Sequence, residues 1–134
     1  MTLYVDSSAL VKRYVDEPDR ESAEVILASD PVLVSSWVTV VEVRRNLARL
    51  LDGADLRNAL HHAETDFDAM ALVNCDGSVC TAAAMIGETL GVRSLDAIHL
   101  ATAQRLLIST LAFVTFDLRQ GQAARSLGLR VLGC

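Results

Sequence analysis

Residues 2–15 read TLYVDSSALVKRYV, and the switch inside this stretch decides the fold. Thr2 to Val5 is short, apolar and β-leaning, and Asp6-Ser7-Ser8 is a run of N-cap residues that opens a helix through about Val15. A buried strand therefore turns directly into a helix. The same grammar repeats along the chain. Pro18 opens a second helix with Asp19 and Glu21 in its first turn, and Ser29-Asp30-Pro31 marks its end. Val32–Ser35 reads as a second strand, Val38–Leu51 as a helix stopped at Asp52-Gly53, and 55–68 as a further helix. Leu72–Asn74 is a third strand, and Asp76-Gly77-Ser78 starts an alanine-rich helix that closes at Gly91. Ser94 is placed as the N-cap of the next helix, with Asp96 in its first turn and an almost wholly apolar run to Ile108. Leu111–Thr115 is a fourth strand, Leu118–Leu127 a helix closed by Gly128, and Arg130–Leu132 a fifth strand.

Short, continuously apolar strands alternating with helices specify an α/β protein whose parallel sheet is covered on both faces. There is no internal repeat, low-complexity segment or linker, so 134 residues are expected to form one domain, burying roughly two-thirds of the unfolded surface. Cys75, Cys80 and Cys134 are an odd number without a CxxC pair or a histidine cluster, which argues against zinc and against a disulfide framework. They read as reduced thiols. No basic segment precedes the first apolar run, and no stretch approaches the roughly 18 apolar residues of a membrane span. The expectation is a soluble, cytoplasmic protein with no membrane partner.

In a parallel sheet, ligands bind beyond the carboxyl ends of the strands, where the strand order reverses. Asp6 follows the first strand and Asp117 follows the fourth, in VTFD. Asp96 opens the helix that feeds the fourth strand and can reach the same edge. Taken alone, each is an N-cap or first-turn residue before it is anything else. Glu42 shares a helical stripe with Arg45, Asn46 and Arg49, opposite Val40, Val43, Leu47 and Leu51, so its own helix places it on the surface. Carboxylates gathered at one edge repel unless a cation sits among them, and hard oxygen donors suit Mg²⁺ or Mn²⁺ in sites of phosphoryl chemistry. The formal charge of −5 opposes a nucleic-acid partner, but it falls to −1 once those four carboxylates are set aside.

Asp6 in YVDSSALVK, Glu42 in VTVVEVRR, Asp96 in RSLDAIHLATA and Asp117 in VTFD resemble, in order and spacing, the acidic motifs of PIN-domain nucleases. The flanking residues look most like the VapC toxins of bacterial toxin–antitoxin modules. The resemblance covers essentially the whole chain. It implies a PIN-like three-layer α/β/α domain with a central parallel sheet of four or five strands. It further implies a Mg²⁺- or Mn²⁺-dependent endoribonuclease that cleaves RNA, forms a homodimer and is neutralised by a cognate antitoxin. Carried over position by position, Asp6, Glu42, Asp96 and Asp117 are metal-site residues, with Thr115 and Ser8 as polar supports. Arg45, Arg49 and Arg13 are candidates for substrate phosphates. The family pattern thereby moves Glu42 from the surface into the site. Alternatives are a PIN nuclease of RNA maturation without an antitoxin, a catalytically silent binding module, and a receiver-like phospho-accepting domain. The last expects a lysine after the final strand, whereas the only lysine is Lys12. His99 reads as a packed residue bonded within its own helix, Ser7 as a capping hydroxyl, Trp37 as packing, and His61-His62 as surface.

Overall fold

The computed structural model describes residues 1–134, in which five strands and seven helices alternate. In order they are β1 (Thr2–Val5), α1 (Ser7–Val11), α2 (Arg20–Leu27), β2 (Leu33–Ser36), α3 (Val38–Leu50), α4 (Gly53–Ala69) and β3 (Ala71–Val73). Then follow α5 (Gly77–Leu90), α6 (Ser94–Arg105), β4 (Leu111–Val114), α7 (Leu118–Ser126) and β5 (Arg130–Leu132). All strand pairs are parallel, in the order β3-β2-β1-β4-β5.

Side-chain alternation explains why the strands are apolar throughout. Leu3 and Val5 of β1, with Ala112 and Val114 of β4, pack under α1 to α4 against Leu10, Leu27, Val43, Leu47 and Phe67. Tyr4, Leu111 and Phe113 point the other way, under α5 to α7, against Val79, Ile86, Leu100 and Ala124. Both faces of each central strand are thus buried, and the three-layer α/β/α arrangement read from the sequence is the one observed. β1 feeds the half of the sheet that runs outward through β2 and β3, and its other neighbour, β4, feeds β5. The order reverses between β1 and β4, so a crevice opens at their carboxyl ends. No helix is long and apolar enough to cross a membrane.

Several boundaries differ from those expected. α1 stops at Val11, because the amides of Lys12, Arg13 and Tyr14 turn to the carbonyls of Ala9, Leu10 and Val11, tightening the chain into a 3₁₀-like end. Pro18 lies outside α2. Its carbonyl accepts from Lys12 Nζ at 3.0 Å, and Asp19, at φ +69°, makes the corner before Arg20. Ser94 is the first residue of α6, not its cap, and Arg93 holds the extended cap position without a side-chain bond. The carboxylate that complements this helix start is Asp96, in the first turn. α6 ends at Arg105, short of Ile108, and Leu107 at φ +54° turns the chain toward β4.

Phe113 stacks on Tyr4 with ring centroids 5.4 Å apart and is fully buried between β1, β4 and the α5–α7 layer. Replacing Phe113 by Ala is expected to cost about 3–5 kcal/mol of unfolding free energy. The check is the urea midpoint, which falls while the slope of the transition is unchanged.

Candidate active site

The crevice is built from two strand ends joined by hydroxyls. Asp6 leaves β1 and caps α1, its Oδ1 accepting from Ala9 N at 3.2 Å and from Ser8 Oγ at 2.6 Å. Ser8 Oγ in turn meets Thr115 Oγ1 at 3.2 Å and accepts from Phe116 N at 3.1 Å, which stitches the loop after β1 to the loop after β4. Thr115 Oγ1 accepts from Asp117 N at 3.2 Å. Asp117 then caps α7 through Oδ1, from Arg119 N at 2.9 Å and Gln120 N at 3.1 Å. Gly133 closes over the back of this stitch at φ +106°, where a Cβ would stand 2.3 Å from Thr115 O. Capping, the ordinary role of aspartates at such junctions, is therefore what Asp6 and Asp117 both perform. It also holds both carboxylates at the crevice.

Asp6 is only 5% exposed and makes no ion pair. Burial pushes its carboxyl above the usual carboxylate range, opposed by the nearby His99 ring, the Ser8 and Thr115 hydroxyls and the Ala9 amide. Asp96 is half-buried in the first turn of α6. Its carboxyl is also pushed up, first by desolvation and next by the charge of Asp117, with Glu42 adding to it and His99 and Arg93 opposing. Asp96 and Asp117 line one hollow of about 330 Å³ together with Arg93 and Arg119. Gln120, which sequence reasoning passed over, bridges them from behind. Its Nε2 donates to Asp96 O at 3.0 Å while its own amide bonds Asp117, so one buried side chain ties the first turns of α6 and α7 together. Its Oε1 is buried without a partner.

Glu42 does not lie on the surface stripe that its helix periodicity suggests. Its side chain is 17% exposed, and Oε1 lies 2.6 Å from His99 Nε2, with Oε2 accepting from Ser7 Oγ at 3.3 Å. His99 is 1% exposed and reaches Tyr4 Oη through Nδ1 at 2.8 Å. Burial pushes the Tyr4 phenol well above its ordinary range, so it stays a donor. The two ring nitrogens thus bond phenol and carboxylate together. His99 is thus bonded across elements, not within its own helix, and Ser7 orients Glu42 besides opening α1. The structure brings Asp6, Glu42, Asp96, Asp117, Ser8 and Thr115 to one edge. Arg49 lines a second hollow beside Ser8, Lys12, Asn46 and Asp117. Arg45 is exposed on α3. Arg13 is turned away toward α4, where Nη2 pairs with Asp66 at 3.4 Å, so it is removed from the phosphate candidates. Trp37 is 51% exposed and does not pack in the core, because the apolar side of α3 starts one turn later at Val40 and Val43.

No three carboxylate, imidazole or thiol groups stand close enough to form a closed cage for a metal ion. The donor set is nonetheless all oxygen, and the charges of Asp117 and Glu42 both raise the Asp96 carboxyl. That mutual repulsion is what a hard divalent cation relieves, so the residues fit Mg²⁺ or Mn²⁺ in chemistry, with side-chain rotation needed to close around an ion.

Residues 3–126 match the PIN domain family. The chain belongs to the PIN-domain family. The match takes in all four acidic residues together with Ser8 and Thr115. Over 130 residues the chain is 38% identical to Ribonuclease VapC46 of Mycobacterium tuberculosis, covering 97% of this chain and 95% of the relative. Among solved structures it resembles FitAcB from Neisseria gonorrhoeae, with TM-score 0.74 and 22% identity over 98% of this chain and 96% of that one. It also resembles a chain of a toxin–antitoxin complex from Klebsiella pneumoniae, with TM-score 0.66 and 17% identity over 87% of each. At these identities the two structures speak to the PIN fold alone.

Because its folded-state pKa is raised, Asp6 contributes stability below the ordinary carboxylate pKa of about 3.9, which is lost as pH rises through the folded-state value. Asn preserves the cap and the acceptor for Ser8. In EDTA, Asp6→Asn is therefore expected to melt at a higher temperature than the parent at pH 7, with the gap closing toward pH 3. Equal midpoints across that range would contradict the burial account.

Proposed function

We propose that this chain is a Mg²⁺- or Mn²⁺-dependent endoribonuclease that hydrolyses RNA phosphodiester bonds as the toxin of a toxin–antitoxin pair. One observation carries the reading. A relative that matches nearly end to end is a VapC ribonuclease, and the acidic residues of this chain collect at the β1/β4 switch point. In this reading Asp6 and Asp96 would be the principal residues holding the ion, with Glu42 and Asp117 assisting. When bound, a divalent cation would supply activation of water and neutralisation of phosphate charge.

The chain's own contribution is placement. Ser8 and Thr115 hold Asp6, Gln120 holds the backbone at Asp96 and the cap at Asp117, and His99 with Ser7 holds both oxygens of Glu42. Fixing ligands through partners of this kind is what keeps a metal site in register with its substrate. Arg93 and Arg119 on one side of Asp117, and Arg49 on the other, are set to neutralise phosphates of an RNA crossing the acidic centre. Arg45 is exposed one turn before Arg49 on the same helix. A cognate antitoxin, a homodimer and a cytoplasmic location complete the reading. The 38% identity to a VapC ribonuclease over nearly the whole chain supports the first of these.

End-labelled total RNA incubated with the purified chain and Mg²⁺ or Mn²⁺ is expected to give discrete bands that vanish in EDTA. Asp96→Asn is expected to lower cleavage by about a hundredfold or more, since a lost ligand removes several kcal/mol of transition-state stabilisation. Bands that persist in Asp96→Asn at the parental rate would contradict the assignment.

A further inference from the structure

Away from the acidic crevice, two of the three cysteines meet at the start of α5. Asp76 caps this helix, its Oδ1 accepting from Val79 N at 3.0 Å, and Cys80 N donates to Asp76 O at 3.0 Å. Cys75 is therefore the residue before the cap, and Cys80 the fourth residue of the helix. Side chains at these two positions pack on each other across a helix start and are ordinarily a pair of apolar residues. Here both are thiols, and their sulfurs lie 3.7 Å apart. Neither is in a disulfide. Cys80 is exposed, whereas Cys75 is half-buried against the core under α5 to α7. Cys134 lies apart, against Gly121 and the carbonyl of Asp117.

We propose that Cys75 and Cys80 are a redox-convertible dithiol, in which Cys80 meets a low-molecular-weight disulfide and Cys75 resolves the adduct. The geometry divides the roles. An outside disulfide reaches the exposed sulfur first, and the half-buried one is already in contact behind it. The Cys80 thiolate attacks one sulfur of the small disulfide, forming a mixed disulfide and releasing a thiolate that takes up the proton Cys80 gave. The Cys75 thiolate then attacks Cys80 Sγ, expelling the second small thiolate, which takes up the proton from Cys75. The protein loses two electrons and two protons and gains one S–S bond. The small disulfide becomes two thiols. The two sulfurs, already in contact at 3.7 Å, need only draw together to about 2.05 Å to form the bond. An exposed thiol placed this way does not remain blocked by an adduct or link to a second chain.

The test uses the full chain carrying Cys134→Ser, so that every change in mass belongs to the pair, treated with glutathione disulfide and read by intact mass without reductant. The expected product is the monomer lighter by two hydrogens, restored by dithiothreitol. Adding Cys75→Ser is expected to leave one glutathionyl group stably attached, and adding Cys80→Ser is expected to slow modification at least tenfold. The proposal is overturned if the intact pair accumulates the glutathionyl adduct, links to a second chain, or stays reduced under conditions that modify the Cys75→Ser protein.

Discussion

The Asp6 carboxylate is buried where no cation pairs with it, and most of the polar construction at the ends of β1 and β4 answers that constraint. A carboxylate removed from water needs donors, and three arrive from short range: the Ala9 amide, the Ser8 hydroxyl and, through Ser8, the Thr115 hydroxyl. These donors come from both loops, so satisfying one charge also fixes the distance between two strand ends. Asp117 and Asp96 are then positioned relative to each other by Gln120, whose backbone amide donates to Asp117 and whose side chain donates to Asp96 O. Stability is given up where charges are buried or crowded: burial pushes the Asp6 carboxyl up, and burial followed by the charges of Asp117 and Glu42 pushes the Asp96 carboxyl up. Sites that bind cations are commonly built at such a cost.

Topology decides that the crowding happens here. With the order β3-β2-β1-β4-β5, the layer of α1 to α4 and the layer of α5 to α7 lie on opposite faces of the sheet and meet through side chains near the carboxyl ends of the central strands. Glu42 comes from one layer and His99 from the other, and their 2.6 Å contact spans the top of β1, anchored below by Tyr4. The same buried imidazole therefore orients an acidic side chain and clamps the layers. Buried, fully bonded networks of this type rigidify a site, and they also make it sensitive to any change in one member.

Much of this was readable in the residues, for identifiable reasons. Apolar runs ending on Asp-Ser-Ser or Phe-Asp announce strand ends with caps, so Asp6 and Asp117 could be placed at the carboxyl edge without any structure. Asp96 in its first turn, the five strands and the covered parallel sheet followed from the same local signals. Glu42 could not be read this way. Periodicity reports which residues share a face of one helix, not that α6 crosses over that face from the other layer. The resemblance to PIN nucleases supplied what periodicity lacked. His99 is packed, as its place on an apolar helix suggests, but its bonds to Tyr4 and Glu42, like that of Gln120 to Asp96, carry no local signal because the partners are far away in sequence. Arg13 and Trp37 were misjudged because a lone arginine or tryptophan carries no signal of the element it faces.

If the four carboxylates bind a divalent cation, thermal unfolding of the parent chain and of Asp96→Asn against Mn²⁺ concentration reads that binding without any RNA substrate. A ligand that binds only the folded state raises the midpoint with concentration. The account predicts a saturating rise for the parent chain that Asp96→Asn abolishes or moves to much higher Mn²⁺. Identical curves for the two proteins, or no rise in either, would contradict it.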